Sequence, residues 1–235
     1  EFVPTNHLLD PRVDWTIARR GIPFLDWGIH EGSSWIRSQY HGGPYMTVKY
    51  MHYLANDGTL TASGGFKNAK NFRAYRFSHV LLWRAEVAVE ENDLELARTL
   101  VNRIRERAQN EVVMGRCQTH TFDGRAVEVD YSQPAANYKV EPYPPGSDAF
   151  STQDNARKAV RLEQRLEFAT EGMRFFDLRR WGIDDEVLNR FIEHDSNFRF
   201  FMSGLQYDPE INDHWPLPQD QLDLQSVLMQ DPAYE

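Results

Sequence analysis

Glu163, Glu167 and Glu171 recur every four residues, a spacing that lines them along one face of a helix. Paired carboxylates roughly 5–10 Å apart are what glycoside hydrolysis needs, one as acid and one as base or nucleophile. Such pairs flank a cleft from different elements, whereas these three share one helix and alternate with Arg161, Arg165, Arg174, Arg179 and Arg180. Like charges at this spacing repel unless cations answer them. The residues therefore read as a structural ion network of Glu163, Glu167, Glu171 and Asp177 with Arg105, Arg107 and Arg174. Hydrolysis stays as the least favoured alternative.

A second group suits carbohydrate. A pyranose has an apolar C–H face that a flat ring covers, and an equator of hydroxyls that planar donors answer. Between residues 24 and 45 the chain sets Trp27, Trp35, Arg37, Tyr40 and Tyr45 among glycines. The candidate ligand contacts are those five. Each tryptophan is open to either role, packing or stacking on a sugar, and spacing alone does not separate the two.

Other catalytic templates are missing. The sequence has no His-Glu-x-x-His, no Gly-x-Ser-x-Gly, no phosphate-binding glycine loop and no cysteine pair. The eight histidines are scattered, without metal-ligand spacing. Cys117 is read as an incidental loop thiol. Neither a metal nor a cofactor is called for. With 26 basic against 35 acidic residues the net charge is −9, which repels phosphate backbones and argues against nucleic acid as a partner.

The elements that would carry these residues follow from periodicity. Residues 1–70 are rich in Pro and Gly and read as loops, with Asn56-Asp57-Gly58 turning a small hairpin between 49–54 and 60–62. Apolar residues at three- and four-residue spacing predict a helix over 71–91, broken at Asn92-Asp93, and a second over 94–108. So short a break makes the two antiparallel, as in a tetratricopeptide hairpin, although no second copy follows at that period. Residues 111–150 read as a loop excursion ending in Glu141-Pro-Tyr-Pro-Pro-Gly146. A third helix is predicted from Thr152 or Asp154 to Glu171, a short one over 173–181, another from Asp184 to about Glu193, and then an extended tail. The fold class is mostly α, with long irregular loops and minor β hairpins.

Several segments resemble the SusD/RagB family. The stretch 72–86 is similar to its "RYAEVLLLxAEA" helix and Leu100–Ala108 to its "xxNxVRxRA" partner. Glu163–Trp181 resembles "ERRxEFxxEGxRxxDLRRW", with Gln164 in place of an Arg. Residues 216–234 resemble "PIPxxE…QNPGY", with Asp231-Pro-Ala233 for Asn-Pro-Gly, and Asp10-Pro-Arg12 with Thr16 resembles an opening "DPRxxxT". The motifs occur in order along nearly the whole chain.

The resemblance implies a tetratricopeptide-like scaffold of the SusD type, here as its C-terminal region. The family's N-terminal half, with most tetratricopeptide helices and the lipid anchor that holds it to the membrane, is expected to be absent from this chain. It further implies an outer-membrane protein of the extracellular face that binds an oligosaccharide or polysaccharide fragment. That protein passes the ligand to a SusC-like TonB-dependent transporter and is not an enzyme. An alternative is that this portion docks on the transporter while the missing half supplies most ligand contacts.

Overall fold

The computed structural model describes residues 5–60, 69–121 and 126–234. Contacts divide the chain into two compact units, Glu1–Gly172 and Met173–Glu235.

In the first unit, helix α1 (Arg12–Thr16) leads into strand β1 (Ile17–Ala18), and helix α2 (Gln39–Gly42) precedes strand β2 (Met46–Thr47). The two strands pair antiparallel, Ile17 with Thr47 and Ala18 with Met46. Around them Ala18, Phe24 and Val48 form a buried cluster, against which Trp27, Trp35, Met46 and Met51 pack. The hairpin expected at 49–62 is not formed by its described residues: 49–53 is irregular and Leu54–Asn56 is a 3-10 turn. The second expected strand falls largely outside the described residues.

The helical layer follows. α3 (Phe77–Glu90) and α4 (Leu94–Asn110) form the antiparallel hairpin, and α5 (Gln153–Glu167) packs on both. Asn92 takes the left-handed conformation (φ 60°) between them, and the Asp93 side chain caps α4 by accepting from Leu96 N at 3.1 Å. Leu82, Ala85, Ala88, Val89, Ala97, Val101, Ile104, Ala156 and Val160 fill the interior, each large side chain contributing about 1.5–3 kcal/mol by leaving water. α3 starts at Phe77 rather than 71, because Arg76 is extended (φ −138°, ψ 165°) and acts as its N-cap. Phe77, Val80 and Val87 stay exposed on one face of that helix. α5 ends at Glu167 rather than 171, and the chain then turns through Thr170 and Gly172, both at positive φ.

The 111–150 excursion is not all loop. β3 (Met114–His120) and β4 (Ala126–Pro134) form an antiparallel hairpin whose register shifts several times. Periodicity missed it because bulges break the two-residue alternation. Cys117 therefore sits on a strand, its sulfur 3.5 Å from His120 Nδ1.

The second unit holds α6 (Arg174–Arg180), α7 (Asp184–Ser196), α8 (Pro209–Asn212) and α9 (Gln219–Leu224). Tyr207 ties it together, its hydroxyl reaching Asp184 at 2.8 Å and also Asp213, while Asn189 bonds both ways to its backbone. The tail is thus more helical than the extended form expected. Among the described residues no helix is long and apolar enough to cross a membrane.

Candidate ligand-binding site

The inward stripe of α5 begins apolar with Ala156, Ala159 and Val160, then changes to Glu163, Gln164 and Glu167, all buried. Carboxylates carried into a core by their helix must find cations there. Arg12 donates to Glu163 at 2.6 Å and to Asp10, and Arg105 meets the other Glu163 oxygen at 3.1 Å. Arg76 and Arg107 both reach Glu167 Oε1 at 2.5 Å, and Arg76 and Lys49 share Glu171 Oε1 at 2.6 and 2.7 Å. Burial alone would raise the Glu167 carboxyl, but Arg76 and Arg107 outweigh it and hold it at about 2. Glu171 is likewise lowered, against its own burial, by Arg76 and Lys49.

The structure thus brings together Arg105, Arg107, Glu163, Glu167 and Glu171, and adds Arg12, Lys49 and Arg76. For Arg174 and Asp177 the contacts described lie within the second unit. Asp177 accepts from Arg180 at 3.1 Å and Arg174 lies over the Trp181 ring. Spacing gives no sign that Arg12 and Arg76 belong to this network, although Asp10-Pro-Arg12 is itself a motif. Only the fold shows that its charge points at a helix 151 residues away.

A cavity of about 390 Å³ opens beside this network. Arg12, Arg76, Glu167 and Glu171 line one wall; α1, the 48–53 segment, residues 70–73 and the end of α4 supply the rest. Two extra cations arrive on backbone carbonyls: Arg73 Nη2 donates to Lys49 O at 2.6 Å and Lys70 Nζ to Met51 O at 2.7 Å. Trp15 stands at the cavity with 39% of its surface exposed. Its Nε1–H donates to the Glu111 carbonyl at 2.8 Å, which fixes the indole by its edge. Tyr53 lines the same cavity, half exposed, as does Tyr50, which stacks on exposed Phe72 with the planes 8° apart.

The 24–45 candidates divide. Trp27 packs against the Phe24 cluster and gives its N–H to His52 O at 2.9 Å. Trp35 meets Phe24 and His30 edge-on, with centroids 6.0 and 5.1 Å away. Both rings are partly buried. Arg37, Tyr40 and Tyr45 are exposed, and Tyr45 borders a second cavity of about 860 Å³ with Leu9, Val13 and Ile17. Among the described residues no group of three or more His, Cys, Asp or Glu is placed to hold a metal ion.

Residues 1–234 match the SusD family. The chain belongs to that family. A SusD homolog from Bacteroides thetaiotaomicron matches its fold with a TM-score of 0.61 at 20% identity, over 95% of this chain and 40% of that one. A SusD-like protein from Bacteroides fragilis matches with a TM-score of 0.55 at 23% identity, over 96% of this chain and 39% of the other. At such identities the likeness is one of fold. No curated protein sequence matches. This SusD-family chain spans about two-fifths of the length of those structures, and it has the mostly helical architecture expected from its motifs. Within it, Trp15 lines the candidate cavity without being singled out by its sequence context. The signal was slight: a tryptophan in α1 whose neighbours Asp14 and Thr16 turn inward.

Proposed function

We propose that this SusD-family chain captures an oligosaccharide at the Trp15 cavity without cleaving it. As part of a protein on the extracellular face of the outer membrane, it would serve delivery to a SusC-like TonB-dependent transporter. The observation that carries the reading is Trp15, an exposed indole pinned by its edge beside Tyr50, Tyr53 and guanidinium donors. A pinned ring stacks on a sugar with little loss of freedom. Capture is favoured over hydrolysis by the state of Glu167. A general acid must carry its proton near neutral pH, whereas Glu167 is held at about 2 and its Oε1 already accepts from two arginines. A second reading, a mainly transporter-docking role, is favoured by Trp215, Val227 and Met229, each more than four-fifths exposed in the second unit.

Calorimetric titration with a panel of oligosaccharides tests capture. Binding without release of reducing sugar is expected, weakened roughly five-fold in Trp15→Ala and kept in Tyr45→Ala, which marks the other cavity. Co-purification with the transporter in the absence of any glycan binding would instead support docking.

A further inference from the structure

The chemistry of the cavity also bears on what the sugar carries. We propose that the ligand is an acidic glycan, whose carboxylate or sulfate group is held by Arg73 and Arg107 while Trp15 covers a ring face; this rests on the capture reading above. The chain as a whole is strongly acidic, at −9, yet the cavity reverses that sign. Six cations line it, Arg12, Lys49, Lys70, Arg73, Arg76 and Arg107, against Glu111, Glu167 and Glu171.

Part of this charge is internal to the ion network. Arg12, Lys49 and Arg76 are each tied to a carboxylate within 2.7 Å. Glu167 answers Arg76 and Arg107 while Glu171 answers Arg76 and Lys49, so two carboxylates stand against three cations. Arg107 keeps 43% of its side chain exposed. Arg73 is exposed and donates to a carbonyl. A carbonyl dipole satisfies one N–H but leaves the unit charge in place, and four of the five donors of a guanidinium remain to meet a bidentate oxyanion. Both lysines are lowered chiefly by burial, with a smaller part from neighbouring arginines. Burial lowers Lys70 and Arg73 lowers it further; burial lowers Lys49 and Arg76 adds to this, while Glu171 opposes both. An oxyanion in the cavity relieves that crowding. A neutral oligosaccharide gains nothing from it.

The test compares three probes by calorimetry on the intact chain. These are a hexagalacturonate, its fully methyl-esterified form with the same rings and no charge, and a sulfated galactan oligomer. At least one charged probe is expected to bind ten-fold or more tighter than the methyl ester. Its affinity is expected to fall at least five-fold between 50 and 500 mM NaCl, since partly exposed charges are screened. Arg73→Gln is expected to weaken it at least five-fold at an unchanged melting temperature, and Arg107→Gln to weaken it as well but with a lower melting temperature, because buried Glu167 loses a partner. Arg84→Gln, which removes the same charge outside the cavity, leaves it unaltered. The two charged probes distinguish carboxylate from sulfate. Equal or tighter binding of the methyl ester, insensitive to salt and to Arg73→Gln, overturns the acidic ligand and leaves capture standing. No heat from these probes or from the neutral oligosaccharide panel, with the chain folded, overturns capture and this inference together.

Discussion

Trp15 and Trp35 differ in what surrounds them, and that difference sets what their removal does. Trp15 has an exposed face and one edge hydrogen bond, to Glu111 O. Trp15→Ala is expected to weaken oligosaccharide binding by about 1 kcal/mol, roughly five-fold, with a small loss in melting temperature. Trp35 is wedged against Phe24 and His30 in a buried cluster. Trp35→Ala is expected to cost about 3–5 kcal/mol of folding stability, and affinity should be unchanged in the fraction that stays folded. Denaturation and titration of the two variants side by side check both statements. A Trp35→Ala chain that melts normally but no longer binds would return the site to the 24–45 loop.

At the scale of elements, α5 gives the clearest consequence. Its inward stripe delivers Glu163 and Glu167 into the core, and the charge of Glu167 is answered from the start of α3 and from α4. Glu167→Ala takes Arg107's carboxylate away and leaves Arg76 with Glu171 alone, and unfolding free energy is expected to drop by roughly 3–5 kcal/mol. The pH dependence has a definite sign. The folded carboxyl sits at about 2 against an ordinary 4.5, so its contribution is fully present above pH 4.5. It is lost as the pH falls from there towards 2, and amounts to about 3 kcal/mol. Urea midpoints between pH 6 and 2.5 are expected to fall, and to fall less steeply in Glu167→Gln. The β3–β4 hairpin gives a backbone counterpart. Gly115 has φ +117°, and a Cβ there would stand 2.8 Å from Pro23 Cγ and 3.0 Å from the Tyr131 ring. Gly115→Ala is therefore expected to destabilise by about 1–3 kcal/mol, read by thermal unfolding.

For the whole molecule, the two compact units predict where the site's integrity resides. Every residue lining the Trp15 cavity precedes Gly172. A chain truncated after Gly172 is expected to bind oligosaccharide within about two-fold of the full chain, since it keeps all those contacts. A ten-fold loss in a folded truncation would place essential contacts in the second unit. The second unit carries its own polar tie at Tyr207, whose hydroxyl is raised by burial and by its hydrogen bonds to Asp213 and Asp184. Tyr207→Phe is expected to destabilise residues 173–235 by about 1–3 kcal/mol without altering affinity, as hydrogen exchange and titration would report.

What the amino-acid sequence determined by itself was local. The period of apolar residues over 71–91, 94–108 and about 152–171 announced α3, α4 and α5, though not where α3 begins or α5 ends. Asn92-Asp93 marked their hairpin, because a left-handed residue followed by a capping aspartate needs no distant partner. The four-residue spacing of Glu163, Glu167 and Glu171 showed that these carboxylates share a face, and the ordered motifs identified the family. Tertiary structure alone decided which cations answer the glutamates, because Arg12 and Arg76 lie 151 and 91 residues from their partners. It also decided which of Trp15, Trp27 and Trp35 faces solvent. Trp27 and Trp35 look as available as Trp15 in a string of letters. Exposure is a property of the surface left over once every neighbour has packed, and no spacing rule encodes it.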